Sequence, residues 1–177
     1  LFFLRQQFDM PLDWLKDYIK LQQTPEEIEH LLTSSGLEVE SLDETDSIKG
    51  GLRGLVVGEV LEKEKHPDAD RLSVTKVNVG KAIPLQIVCG AANVAKGQKV
   101  LVALNGARLY PTFGEPFDIK NSKIRGQVSE GMICSEDEIG LGNSHEGIMV
   151  LDANAIPGTP AAEWFKIKQD HIFEIGL

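Results

Sequence analysis

His66, Asp68 and Asp70 fall within five positions of the stretch EKEKHPDADRLS, residues 62 to 73, with Pro67 among them and basic residues on both sides. An imidazole beside two carboxylates can ligate a metal or move a proton, so these are the chemistries to weigh first. Zinc sites take three or four ligands, and magnesium sites gather converging carboxylates. The other histidines, His30, His145 and His171, have no partner at helical i, i+4 spacing, so the local set stops at three. Proline followed by short polar residues makes turns, because Asp bonds nearby backbone amides. The stretch is read as a shaped connection between strands, with no metal site. Cys134, Glu136 and His145 could be cast as a thiol nucleophile with its base, but nothing beside them activates the thiol, and a buried Cys is inert. No catalytic residue is expected.

A third set is basic. KNSKIRGQVSEGM places Lys120, Lys123 and Arg125 within six positions, followed by Ser129 in a polar segment bounded by glycines. Lys123 and Arg125 stand two apart, so on a strand they project from one face. That face can meet phosphates, or it can be a solvated edge strand on which Lys discourages aggregation. GEV and GAAN carry neither G-x-G-x-x-G nor the P-loop pattern, so no loop that cradles a nucleotide's phosphates is visible.

These side chains must be held by the elements around them. DWLKDYI carries Trp14, Leu15, Tyr18 and Ile19 on one helical side, with Asp13 as the expected N-cap. TPEEIEHLLTSSG supplies a second helix to pack against it, with Thr24 capping, Pro25 in the first turn, Glu27 completing a capping box and Gly36 as the stop. LEVESL changes to period two and reads as a strand, and DETDSIKGG as an acidic linker.

Beyond the linker, LVVGEVLE, LSVTKVNV, LQIVCG, KVLVALNG, GMICS and GIMVL recur with turn signals between them. That density of short strands implies a small barrel or sandwich. Between residues 72 and 79 the apolar phase switches from Leu72 and Val74 to Val77 and Val79, which predicts a bulge and favours a closed barrel. AAEWFKI reads as a short helix and HIFEIGL as a strand. The expected organisation is α+β: a small OB-like barrel at 49–153, set between 1–48 and a returning segment at 154–177.

Composition bounds the rest. The 177 residues are 42% hydrophobic and 25% charged, as in folded globular proteins. No apolar run approaches the roughly 20 residues that cross a bilayer, and LFFL is too short for a signal-peptide core, so a cytoplasmic protein without membrane contact is expected. Cys89 and Cys134 lie far apart, outside any C-x-x-C pair, and are expected as reduced buried thiols. The net charge of -9 is uneven, with 4 basic and 11 acidic residues in 1–51, 12 and 12 in 52–151, and 2 and 4 in 152–177. The chain opens on Leu and its last strand reads as cut short, so it is expected to be part of something longer.

VVGEVLEKEKHPDADRLSVTKVNVG, LQIVCGAANV, GQKVLVAL and IKNSKIRGQVSEGMICSEDEIGL together resemble the tRNA-binding OB domain related to endothelial monocyte-activating polypeptide, over nearly all of residues 54 to 151. The flanks DWLKDYI, GLEVESL and HIFEIGL are similar to the amino-terminal region of bacterial phenylalanine-tRNA ligase beta subunits. The resemblance implies a barrel inserted into a discontinuous domain. It implies an alpha2-beta2 enzyme that joins phenylalanine to its own tRNA with ATP and magnesium, the adenylate being made by the alpha subunit. It implies a noncatalytic chain here that contacts tRNA, not DNA, through Lys123, Arg125 and Ser129, with Lys65, Arg71, Lys76 and Asn93 as further contributors. A structural or assembly module of the synthetase and a stand-alone tRNA-binding protein are the alternatives.

Overall fold

The computed structural model describes residues 7 to 176, and LFFL lies outside them. In chain order the elements are strand β1 (Gln7–Pro11), helices α1 (Leu12–Tyr18) and α2 (Pro25–Ser34), and strands β2 (Glu38–Asp46), β3 (Leu55–Lys65), β4 (Ser73–Asn78), β5 (Leu85–Cys89) and β6 (Lys99–Leu104). Short strands β7 (Arg108–Leu109), β8 (Phe117–Asp118), β9 (Ser122–Ile124), β10 (Gln127–Ser129), β11 (Gly131–Ile133) and β12 (Val150–Leu151) follow, then helix α3 (Ala161–Trp164) and strand β13 (Gln169–Gly176). They form two compact units, one from Leu1–Ser47 with Lys168–Leu177 and the other from Ile48–Ile167.

In the first unit, β13 pairs antiparallel with both β1 and β2. Its core gathers Met10, Leu12, Ile28, Phe173 and Ile175. The register of β2 slips between Glu174 and Ile175, leaving Glu40 as an extra residue. That bulge lets Val39 and Leu42, three positions apart, both pack on the core. β2 continues through residues 43 to 46, which the sequence suggested as linker, paired there with residues 169 to 172 of β13.

The helices depart from expectation in an instructive way. The N-cap of α1 is Pro11, not Asp13, and the Asp13 N–H is met by a carboxylate oxygen of Asp170 on β13 at 3.0 Å. A cap from 157 residues away leaves no local signal. The helix buries Leu12 and half-buries Leu15 against the sheet, while Trp14 and Tyr18 meet at a tilt of 59° on its exposed side, ring centroids 5.0 Å apart. The α2 helix packs its own stripe on β2 and does not cover that side.

The start of α2 follows the sequence closely. Thr24 Oγ1 accepts the Glu27 N–H at 3.3 Å, and the Glu27 carboxylate accepts the Thr24 N–H at 2.9 Å. Thr24→Ala removes one half of that box, and a loss of about 1 kcal/mol is expected, measured as thermal unfolding of the first unit.

In the second unit the strands run β11-β6-β3-β4-β5, with β12 also on β6. The ring is closed between β5 and the β10–β11 corner. There the Glu130 N–H meets the Gln86 carbonyl at 2.8 Å, and Ser129 Oγ accepts the Val88 N–H at 3.1 Å. Counting barrel strands along the chain, this is the 1-2-3-5-4 circuit of an OB-like barrel, as expected.

The apolar runs named from sequence supply its interior: Val60, Val77, Ile87, Val100, Val102 and Ile133 are all buried. The bulge, however, sits on β3, where Leu61 is the extra residue between the Val60–Val77 and Glu62–Lys76 pairs. On β4 it is Thr75 that keeps the inward phase, its hydroxyl donating to the Ile87 carbonyl at 2.8 Å. Val74 stays half-buried.

Candidate functional site

Lys123 and Arg125 lie on the hairpin formed by β9 and β10. Two residues connect its strands, Arg125 at φ 45° and Gly126 at φ 90°. Positive φ at both central positions is the mark of a type I′ turn, whose twist matches paired strands. Arg125 is therefore the first turn residue and not a strand neighbour of Lys123. The expectation of one shared strand face is corrected: Lys123 projects from the strand opposite Val128, and Arg125 from the tip. A left-handed conformation in a residue other than glycine is costly and persists only where its surroundings hold it.

Two struts hold this hairpin. The first is His66, which is 1% exposed. Its Nδ1 accepts the Asp68 N–H at 3.0 Å, so the ring proton lies on Nε2 and is donated to the Ile124 carbonyl at 3.0 Å. The His66 N–H meets the Leu72 carbonyl, closing the 66–72 connection on itself, and Arg125 Nη1 reaches the Asp68 carbonyl at 3.4 Å. The second strut is Gln86, whose amide donates to the Val128 carbonyl at 3.0 Å and to Gln127, while Lys76 donates to its Oε1 at 3.0 Å. Gln86 escaped the sequence reading because a polar residue on a strand looks like ordinary solvated surface.

The remaining named residues divide. Lys65 and Arg71 line a hollow of about 510 Å³ that shares Gly90, Ala91 and Ala92 with a larger groove of about 720 Å³. Asn93, Lys120, Ser122 and Ile124 line that larger groove. The shared GAA segment carries nothing bulkier than a methyl group, which permits close approach of a ligand's backbone. Lys65 is paired with Asp70 at 2.7 Å, an exposed contact worth little in water. Lys76 lines neither hollow and is engaged with Gln86. The groove's lining also includes Asp118, Glu138 and Glu146 against the single lysine Lys120, and Asp118 is paired with Arg108 at 3.0 Å.

Two further residues bond backbone groups of the barrel unit, Asn93 from an exposed position and Ser129 from a buried one. Asn93 donates its amide to the Ile148 carbonyl and accepts the Ile148 N–H, both at 2.9 Å, clamping 147–148 against GAAN. Ser129 is 3% exposed, and its hydroxyl accepts from Val88 while donating to the Gly131 carbonyl at 3.0 Å. The structure thus gives Ser129 a closing role in the barrel in place of a surface contact.

The thiol set does not assemble. Cys134 and Cys89 are free and buried, and burial pushes both thiols up, away from thiolate. His145 bonds Asp137 at 2.8 Å, and Ser135 donates to the other oxygen of the same carboxylate. Desolvation pushes Asp137 up, but the hydrogen bonds from Ser135 and His145 outweigh it and hold the carboxyl below its usual range. These contacts shape the 135–147 loop. Among the described residues no three His, Cys, Asp or Glu side chains converge as metal ligands, and no helix is long and apolar enough to cross a membrane.

Residues 55–160 match the family described as "Putative tRNA binding domain". Over 165 residues, 93% of the chain, it is 54% identical to a phenylalanine--tRNA ligase beta subunit of Bacteroides thetaiotaomicron. Over 169 residues it is 47% identical to the Burkholderia pseudomallei protein of the same name. The chain spans about a fifth of the length of these curated relatives. Among solved structures, the C-terminal domain of Plasmodium vivax p43 is 28% identical, with a TM-score of 0.42 over 59% of this chain and 56% of that one.

Proposed function

The chain belongs to the tRNA-binding-domain family, and from that premise we propose that it is the tRNA-contacting portion of a phenylalanine-tRNA ligase beta subunit. The observation that carries the reading is the 54% identity across 93% of the chain, flanks of the barrel included. In the whole protein, beta pairs with alpha in an alpha2-beta2 tetramer in the cytoplasm and esterifies the phenylalanine-specific tRNA. ATP supplies the energy for that ester, and magnesium accompanies it. The described residues offer neither a glycine-rich phosphate loop nor converging carboxylates, so they do not fit that group, and no chemical step is assigned to this chain.

Its role is to hold RNA. Lys123 and Arg125 present two cations on a braced hairpin, Lys120 lines the groove, and Lys65 and Arg71 line the hollow that shares GAA with it. Lys76 acts on the hairpin through Gln86, Ser129 ties the end of β10 to β5, and Asn93 clamps Ile148 beside the groove. With 12 basic and 12 acidic residues in 52–151, counterion release gives only a modest driving force. The contact is auxiliary and directed by shape.

The test is tRNA binding at low salt by the chain and by a Lys123→Gln, Arg125→Asn double variant. Asn tolerates the left-handed turn position, so the charges go and the turn stays. Binding about tenfold weaker is expected, with a log–log salt slope shallower by about 1.5, from roughly 0.7 to 0.9 per lost phosphate contact. Equal affinity and slope would remove the hairpin and favour a role in assembly.

A further inference from the structure

We propose that His66 is a positioning residue for RNA contact, fixing the Lys123–Arg125 hairpin through its Nε2 bond to the Ile124 carbonyl. The inference rests on the tRNA reading above. Among the described residues His66 is the one buried histidine, 1% exposed, and it reaches 58 residues along the sequence to the last residue of β9. That residue adjoins Arg125, whose backbone sits at φ 45° and needs its neighbours to hold it.

The ring works as a two-ended bracket. At Nδ1 it accepts the Asp68 N–H, so the 66–72 connection sets both the ring's tilt and its tautomer. At Nε2 it is left a donor, and the only proton-bearing ring nitrogen points at the hairpin carbonyl. HPDAD thus shapes the loop, and the loop aims the imidazole. The hairpin's two cations gain a fixed spacing from the barrel, so less conformational freedom is lost when they meet phosphates.

The two ends can be cut separately. In His66→Asn the amide replaces the Nδ1 side of the ring and is too short to reach Ile124. In His66→Gln the longer amide can supply the donor at the Nε2 position. Hydrogen exchange on the 177-residue chain reads the hairpin directly, and anisotropy titration of phenylalanine-specific tRNA across salt concentrations reads the contact.

His66→Asn is expected to speed exchange at Ser122–Ser129 at least tenfold while β3 and β6 keep their protection. It should weaken tRNA binding severalfold and flatten the salt slope toward that of the charge-removing double variant. His66→Gln should retain most of both. Unchanged hairpin exchange in His66→Asn, or selective loss of hairpin protection in His66→Gln, overturns the inference. If His66→Asn fails to fold, the His66→Gln measurement alone decides it. Should the double variant bind tRNA as the parent chain does, it is the tRNA reading that falls, and the exchange result still decides the bracket.

Discussion

Gly80→Ala is expected to destabilise the barrel unit by about 2 to 4 kcal/mol. Gly80 follows β4 at φ 77°, and a Cβ there would lie 2.6 Å from the Cα of Gly158. Gly158, at φ 92°, would place its own Cβ 2.9 Å from the Cα of Gly80. The two backbones touch, and neither can step aside cheaply. The Gly158 N–H meets the Val57 carbonyl and the Val57 N–H meets the Thr159 carbonyl, both at 2.8 Å, so the 157–160 segment is laced to β3.

The steric part can be separated from the conformational part. Gly97 has φ 86° with nothing within 4 Å of the place a methyl group would take, so Gly97→Ala carries only the left-handed cost of roughly 1 to 2 kcal/mol. Trp14 and Trp164 are the chain's two tryptophans, and only Trp164 belongs to the barrel unit. In a Trp14→Phe background, urea unfolding followed by fluorescence therefore reports the barrel. A larger midpoint loss for Gly80→Ala than for Gly97→Ala, at unchanged slope, is the expected result. Equal losses would show that the 157–160 segment moves away freely.

That contact marks where the sequence stops being legible. Each apolar run named as a strand, from LVVGEVLE to GIMVL, contains one in the structure, because an apolar run and its bounding turns are written within a few residues of each other. The capping box at Thr24 is local in the same sense. What escaped is set across distance: Asp170 capping α1, Gly158 against Gly80, Gln86 bracing β10. The two-residue strands β7 and β8, Arg-Leu and Phe-Asp, lie in no apolar run.

At the site the same division holds. The basic residues of KNSKIRGQ were visible as charges, but the turn that separates Lys123 from Arg125 uses Arg-Gly, without the Asn-Gly signal that usually announces it. HPDAD was legible as a turn from Pro67 and the short polar residues after it. Its imidazole was not, because the atom it serves is Ile124, and one polar residue carries no record of a distant partner.

Ser129→Ala carries the second large effect, an expected loss of about 2 to 4 kcal/mol in the barrel unit. The hydroxyl is the acceptor for the Val88 N–H and the donor to the Gly131 carbonyl, at a corner where β5 meets β11 through few other bonds. Alanine fits the space but leaves a buried donor and a buried acceptor unmet, and each costs about 1 to 3 kcal/mol. Ser122, its exposed cross-strand partner in the hairpin, provides the control, and Ser122→Ala should stay within about 0.5 kcal/mol of the parent. The same variant tests which role the hydroxyl has. Barrel closure predicts a lower urea midpoint with tRNA affinity, measured well below the transition, within about twofold of the parent chain. An RNA contact predicts the reverse, full stability with binding about tenfold weaker. A hydroxyl with both of its hydrogen-bonding roles taken inside the barrel has none left to offer a phosphate, so the first outcome is the expected one.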